Sequence, residues 1–518
     1  MIVPELRAWR AARPHVARVA RTVAPHVVRV TRAVRPRPVK VTTVQLTAVA
    51  ATVGLALAAG LATAAGPWDS SGQRTAERDR AAALNRQGGT DHGRDPGAAP
   101  GGPRPAPSAA SVLAALSGAT GPARPPAERA LAGVLDPLLQ NPSLGTRRSA
   151  VVVDVATGRR LYGTGAGEAL TPASTTKIAT AVAALTAAGA DHRITTRAAL
   201  EPDTGEVVLV GGGDPTLTAR KKTDGGWASL RTLAADTART LKARKREKVT
   251  LSYDTSLYAG SGQPPSGVEG NLAQVTPLMV DEGRLDDSSS GAAGRSPDPA
   301  ADAARKFAEL LEAEGIETTA PGPSKATGRS STLAEVASPP LSALVERMLT
   351  NSDNDIAEAL ARQTALASGE PASFKGGGTA IRAQLKKLDM PLHGAVFADG
   401  SGLNRSDRLS AELLTALLAK AGDPARPELR PALTGLPVAG FTGTLSQRYA
   451  DGADRPATGV VRAKTGTLTG VNALAGTVVD TEGRLLAFAF LASGTTDRTS
   501  AQSALDRSAS ALAACGCR

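Results

Sequence analysis

The sequence predicts an α+β fold. One antiparallel sheet is shared by the two ends of the folded region, helices cover both of its faces, and a second domain is inserted in the middle. Three observations predict it. Strand-like segments cluster at the two ends. SAVVVDV and RRLYG flank a turn at Ala156, Thr157 and Gly158; near the C-terminus a strand through Lys464 is followed by strands at 472–479 and 484–492, with a turn at 480–483. Helical patterns fill the stretches between, at 177–188, 340–349, 355–367 and 411–421, and a last helix closes the chain. Between 192 and 324 the character changes to strands, turns and two helices, at 227–243 and 299–314, the second stopped by Gly315.

Before this body the chain has a different composition. The formal charge over 518 residues is +12, yet residues 1–40 hold nine arginines and Lys40 against Glu5 alone, so +9 sits there. A basic tail on a nearly neutral body argues against a nucleic-acid-binding protein. Valines 16, 19, 23, 27, 30 and 34 recur at three- and four-residue steps among arginines, the spacing of a basic amphipathic helix, interrupted by Pro25; a disordered basic tail is the alternative. Residues 41–66 carry no charge, and as a helix they extend about 39 Å, enough to cross a bilayer. We expect a retained transmembrane anchor, with 1–40 as a cytoplasmic tail and everything after Trp68 on the extracytoplasmic face. A secretory signal cleaved near Ala64 is the rival reading. Residues 67–125 are rich in Gly, Pro, Ala and Ser and read as a disordered stalk. The expected domains are therefore 126–191 with 325–518, and 192–324 inserted between them.

The chemistry is carried by three short motifs. In LTPASTTKIAT, Ser174 precedes Lys177 by three residues at the head of an alanine-rich helix, so the two side chains share a face. Ser352-Asp353-Asn354 lies between two helical patterns, and Lys464-Thr465-Gly466-Thr467 lies on a strand. These groups suit acyl transfer. Ser174 attacks a carbonyl, and Lys177, made partly neutral by burial and by the charge of Lys464, takes its proton. Ser352 relays a proton to the leaving nitrogen, and Asn354 holds Lys177 and a substrate amide. Lys464 and Thr465 suit a substrate carboxylate. Gly466 lets the strand approach a bound peptide, and the N–H groups of Thr467 and Ser174 form an oxyanion hole. Only His192 and His393 lie in the folded body, neither in a triad-like motif, so a Ser-His-Asp enzyme is not expected. No H-E-x-x-H or other metal pattern occurs, and no cofactor or metal is expected. Gly211–Gly213 lacks the Gly-Lys-Ser/Thr of a phosphate loop and reads as a turn. Cys515 and Cys517 stand one residue apart at the tip, where a mutual bridge is expected to be strained and without functional weight.

The order S-x-x-K, S-D-N, K-T-G is the signature of serine β-lactamases and penicillin-binding proteins. With VGGGDPTL (210–217), ADGSGLNR (398–405) and LPVAGFTGTLSQR (436–448), the chain from about Glu128 to the final helix resembles the class C, low-molecular-mass penicillin-binding proteins, the D-Ala-D-Ala carboxypeptidase/endopeptidases. The resemblance implies a penicillin-binding transpeptidase-like fold and a serine D,D-peptidase acting on peptidoglycan stem peptides. It makes Ser174 the nucleophile, Lys177 the proton acceptor, Ser352 the second catalytic serine and Lys464 a substrate-binding residue, with β-lactam antibiotics as covalent inhibitors. Two other classes stay open. A β-lactamase forms the same acyl-enzyme, although the glutamate motif of class A enzymes is missing between Ser352 and Lys464; a non-catalytic wall-binding or sensor protein keeps the motifs in a closed site.

Overall fold

The computed structural model of the protein describes residues 126–517 apart from 222–225, 266, 268–269 and 450–451. The expected tail, span and stalk lie outside those residues. Among the described residues no helix is long and apolar enough to cross a membrane.

Helix α1 (Glu128–Leu139) leads into the hairpin β1 (Arg147–Asp154) and β2 (Arg160–Thr164). The hairpin turn is tied by Asp154, whose carboxylate accepts from the Thr157 N–H at 2.8 Å and its hydroxyl at 2.9 Å. Helix α2 (Thr176–Ala188) follows and stops at Gly189, whose φ of 87° suits glycine. Next come β3 (Thr195–Leu200), β4 (Val207–Val210), α3 (Leu230–Ala243), β5 (Lys248–Val249), β6 (Leu251–Asp254), α4 (Pro299–Ala313), β7 (Glu317–Thr318), β8 (Gly322–Pro323) and β9 (Ser331–Ala337). Helices α5 (Leu341–Asn351), α6 (Asn354–Ala367), α7 (Phe374–Lys387) and α8 (Ala411–Ala421) form the next run. Strands β10 (Arg462–Leu468), β11 (Val471–Val479) and β12 (Leu485–Ser493) and helix α9 (Arg498–Ala513) complete the body.

The first sheet has the order β10-β11-β12-β1-β2, antiparallel throughout, so the C-terminal strands pair directly with the N-terminal hairpin (Val152 opposite Phe488). Because side chains alternate along a strand, each strand feeds two cores. Val152, Leu474, Phe488 and Phe490 face α1 and α9, whereas Val151, Ala475, Ala487 and Ala489 face α2 and α8. Small side chains on that second face let α2 and α8 lie close to the sheet.

The second sheet has the order β8-β6-β4-β3-β9 and is covered by α3 and α4 through Leu209, Leu233, Phe307 and Leu311. Its last strand, β9, returns to pair with its first, β3. The chain therefore leaves this layer where it entered: the Ser338 N–H donates to Ile194 O at 2.9 Å and the Leu341 N–H to His192 O at 2.8 Å. The layer runs to Ala337, beyond residue 324 where the sequence reading ends it, because the two-residue β8 is not its final strand. Helix α7 was not legible at all in FKGGGTAIRAQLKK. Its glycines seat it against neighbouring backbone, and a Cβ on Gly378 would run into the Phe397 carbonyl. Cys515 and Cys517 are bonded to each other, with Cα atoms 5.0 Å apart. Their carbonyls accept from the Thr481 hydroxyl at 3.0 Å and the Ala127 N–H at 2.8 Å, which fastens the chain end to the body.

Phe488 is fully buried between β12 and the α1/α9 layer. Phe488→Ala is expected to lower stability by about 3–5 kcal/mol, measured by urea unfolding.

Candidate active site

Ser174 sits in a single 3-10 turn (Ala173–Thr175) just before α2, not within the helix itself. The turn is tight. Ala173 has φ 48°, and the Thr175 hydroxyl donates to Pro172 O at 2.7 Å. It is held between two glycines. A Cβ on Gly466 would stand 2.6 Å from Pro172 O and 3.3 Å from the Ala173 Cβ, and one on Gly402 would run into the Ala173 carbonyl. K-T-G and ADGSGLNR thus close on the Ser174 turn from two sides.

Lys177, one turn along, is completely buried. Its Nζ donates to Ser174 Oγ at 3.2 Å, Asn354 Oδ1 at 2.7 Å and Ser401 O at 2.6 Å. Burial pulls its pKa down to about 8, against the opposing pull of Asp399, Asp353, Glu358 and Asp407. Ser352 ends α5 in the left-handed region (φ 58°), Asp353 caps α6 by accepting from the Ile356 N–H at 3.0 Å, and Asn354 is the first residue of α6. This abrupt helix-to-helix junction points Ser352 and Asn354 into one cleft.

Ser352 pairs with the other lysine: its Oγ accepts from Lys464 Nζ at 2.8 Å, and that amine also donates to Thr465 O at 3.0 Å. Lys464 is fully buried, and burial followed by the charge of Lys177 holds its pKa well below the usual lysine value. Asn354 gives one amide proton to Asn271 O, at 2.7 Å. The Thr465 hydroxyl meets that of Thr444 at 2.9 Å, and Thr467 Oγ1 accepts from Gln502 at 3.2 Å. Strand β10 is the edge of its sheet; on its outer side the Ala463 N–H donates to Pro437 O at 2.9 Å, and further along the strand Thr465 and Thr467 line the cleft. Ser174, Ser352, Asn354, Thr465 and Thr467 line a single cleft of about 470 Å³.

Sequence reasoning missed the supports. The carbonyls of Ser401 and Asn271 have no side-chain signal. Glu358 was hidden in a helical pattern, yet its buried carboxylate accepts from the N–H groups of Gly400 (3.0 Å) and Ser401 (2.9 Å) and pairs with Arg362 at 2.5 Å. From the segment of the second sheet, the Ala273 N–H donates to Asp355 at 2.9 Å and Arg295 pairs with Asp355 at 2.9 Å. The carboxylates of Glu282, Asp353 and Asp355 lie together there, facing the guanidinium groups of Arg284, Arg295 and Arg347.

The model of the D-Ala-D-Ala carboxypeptidase 3 (S13) family matches residues 131–296 and 286–513, nearly the whole described body. The chain belongs to that family. Among its relatives, carboxypeptidase DacB of Mycolicibacterium smegmatis is 39% identical over 76% of this chain and 85% of its own length. Carboxypeptidase Rv3627c of Mycobacterium tuberculosis is 35% identical over 76% and 86%, respectively. A D-alanyl-D-alanine carboxypeptidase of Actinomadura sp. is 30% identical over 70% and 80%. The crystal structure of penicillin binding protein 4 from Haemophilus influenzae superimposes with a TM-score of 0.59 at 20% identity, covering 73% of this chain and 97% of that one, which shows the penicillin-binding fold. In this S13 chain the three motifs converge on one cleft, and a serine hydroxyl with a buried amine at hydrogen-bond distance is the pairing that nucleophilic catalysis requires.

Two outcomes follow from the geometry. Gly466→Ala should push β10 off the Ser174 turn and slow acylation by on the order of 100-fold, read by stopped-flow with a chromogenic β-lactam. Lys177 accepts a proton only when neutral, so acylation should rise with pH through about 8, falling about tenfold per pH unit below that midpoint.

Proposed function

We propose that this protein is a serine D,D-peptidase of peptidoglycan metabolism. It removes the terminal residue of D-Ala-D-Ala stem peptides and also cleaves cross-links, through an acyl-enzyme on Ser174, and β-lactams acylate the same serine. The observation that carries the proposal is the Lys177 amine. It stands 3.2 Å from Ser174 Oγ while Asn354 and Ser401 hold its other two protons. When Lys177 is neutral its lone pair faces Ser174. The serine proton moves to Nζ as Oγ attacks the substrate carbonyl. The tetrahedral oxyanion is received by the N–H groups of Ser174 and Thr467. The C–N bond then breaks, and the proton on Lys177 passes through Ser352 to the departing nitrogen, leaving Lys177 neutral again. Water subsequently attacks the ester; Lys177 takes its proton and returns it to Ser174 Oγ as the ester C–O bond breaks. An incoming substrate carboxylate restores the charge that burial removes from Lys464.

The same reading extends to the rest of the chain. Residues 41–66 anchor the protein and keep the catalytic domain on the extracytoplasmic face of the membrane. The second-sheet segment is a domain inserted into the catalytic one, supported by the adjacency of β3 and β9.

The test is intact-mass spectrometry of the full-length protein with penicillin over time. One persistent adduct on the peptide holding Ser174, with release of D-Ala from a D-Ala-D-Ala peptide, is expected. Ser174→Ala should remove both, and Lys464→Ala should slow capture while leaving the adduct possible. Rapid penicillin turnover without a lasting adduct would point to a β-lactamase instead, and normal acylation of Ser174→Ala would sink the mechanism.

A further inference from the structure

Beneath Lys177, on the side away from Ser174, lies a buried group of acids that the mechanism above does not use. The carbonyl of Ser401, which accepts from Lys177 Nζ at 2.6 Å, shares its peptide unit with the N–H of Gly402. That N–H donates to Asp399 Oδ1 at 2.6 Å. Asp399 also accepts from the Ser401 N–H at 3.1 Å and, through Oδ2, from the Asn404 N–H at 2.7 Å. A carboxylate on one end of a peptide unit and an ammonium on the other polarise it in the same sense, and hydrogen bonds in such a chain strengthen one another. The geometry points to Asp399 as the positioning residue of the proton acceptor. Through the Ser401–Gly402 peptide it aims the carbonyl that orients Lys177, and its charge sets the pH at which that amine gives up its proton.

The groups facing Lys177 can be sorted by charge. At the start of α6 Asp353 caps the helix, and Glu358 on α6 shares its charge with Arg362, whose guanidinium also lies 3.8 Å over the Phe374 ring. Across the cleft stands Lys464, whose own charge is disfavoured by burial and then by Lys177. In the 398–407 segment, Asp407 accepts from the Ala398 N–H at 2.6 Å; burial above all, reinforced by the negative charge of Asp399, pushes its pKa up to about 9, so it is neutral at pH 7. That leaves Asp399 as the carboxylate coupled to the amine through a single peptide unit. Asp399 is itself buried, so solvent screens this coupling little.

The sign of the effect is fixed. Removing the Asp399 charge destabilises the Lys177 ammonium, lowers its pKa, and moves the acid limb of the acylation profile to lower pH. The test is the pH profile of penicillin acylation for the full-length protein and its Asp399→Asn and Asp407→Asn variants, with folding checked by circular dichroism. Asp399→Asn is expected to shift the acid limb down by roughly one pH unit. Asp407→Asn, replacing a group whose charge burial and Asp399 disfavour, should move the limb less. A slower Asp399→Asn enzyme with an unmoved limb would reduce Asp399 to a turn-forming residue and overturn the inference, as would an equal shift in Asp407→Asn. Should Asp399→Asn fail to fold, Asp399→Ser takes its place: it removes the same charge with a smaller side chain, so the same downward shift is expected and an unmoved limb overturns the inference. The inference rests on Ser174 and Lys177 as nucleophile and base. Wild-type protein that takes no adduct rejects that reading, whereas acylation with an unmoved limb rejects only the role of Asp399.

Discussion

Two lysine amines buried within reach of each other's charge are the constraint on which the rest of the structure depends. Neither Lys177 nor Lys464 is paired with a carboxylate in the described residues; their hydrogen bonds go to hydroxyls, an amide oxygen and main-chain carbonyls. Burying an amine among neutral acceptors is costly unless its proton is easily given up. A site built this way stores basicity without a histidine. The acceptors must come from elements far apart in sequence, so α2, the α5–α6 junction, the 398–405 segment and β10 all have to meet at one point. The small side chains on one face of the first sheet and the glycines at 402 and 466 are what allow that approach.

The acids are placed with equal care, at one remove. Asp399 and Glu358 bond to main-chain N–H groups, and Asp353 caps a helix, so each acts on Lys177 through backbone or across a distance. A direct carboxylate contact would lock the amine in its charged form. The arrangement instead holds the amine near the point of balance between its two protonation states.

Much of this was legible in the sequence because the chemistry is local. Ser174 and Lys177 lie on one helical turn, Ser352 and Asn354 on one junction, and Lys464 to Thr467 on one strand. The terminal strands were legible because they are short apolar runs bounded by turn residues, and their meeting in one sheet followed from placing helices between them. What stayed hidden depends on the third dimension. A main-chain carbonyl such as that of Ser401 carries no residue type to notice. Glu358 looks like any acid on an amphipathic helix until Gly400 and Ser401 are seen against it. Helix α7 was obscured by three glycines, which signal a loop by propensity and here serve close packing. The end of the second sheet was misplaced because strands of two residues leave no periodicity to count.

The path of the chain through the second sheet carries a consequence of its own. It enters and leaves at adjacent points, the Ile194 and Ser338 backbone being hydrogen-bonded, which is the arrangement expected of a removable cassette. Yet the segment reaches back. Asn271 holds the Asn354 amide, and Ala273 and Arg295 hold Asp355, so the helix start that steadies Lys177 is secured from the stretch between β6 and α4. Mechanically the segment is a buttress. A lineage that lost it would have to find other anchors for the start of α6.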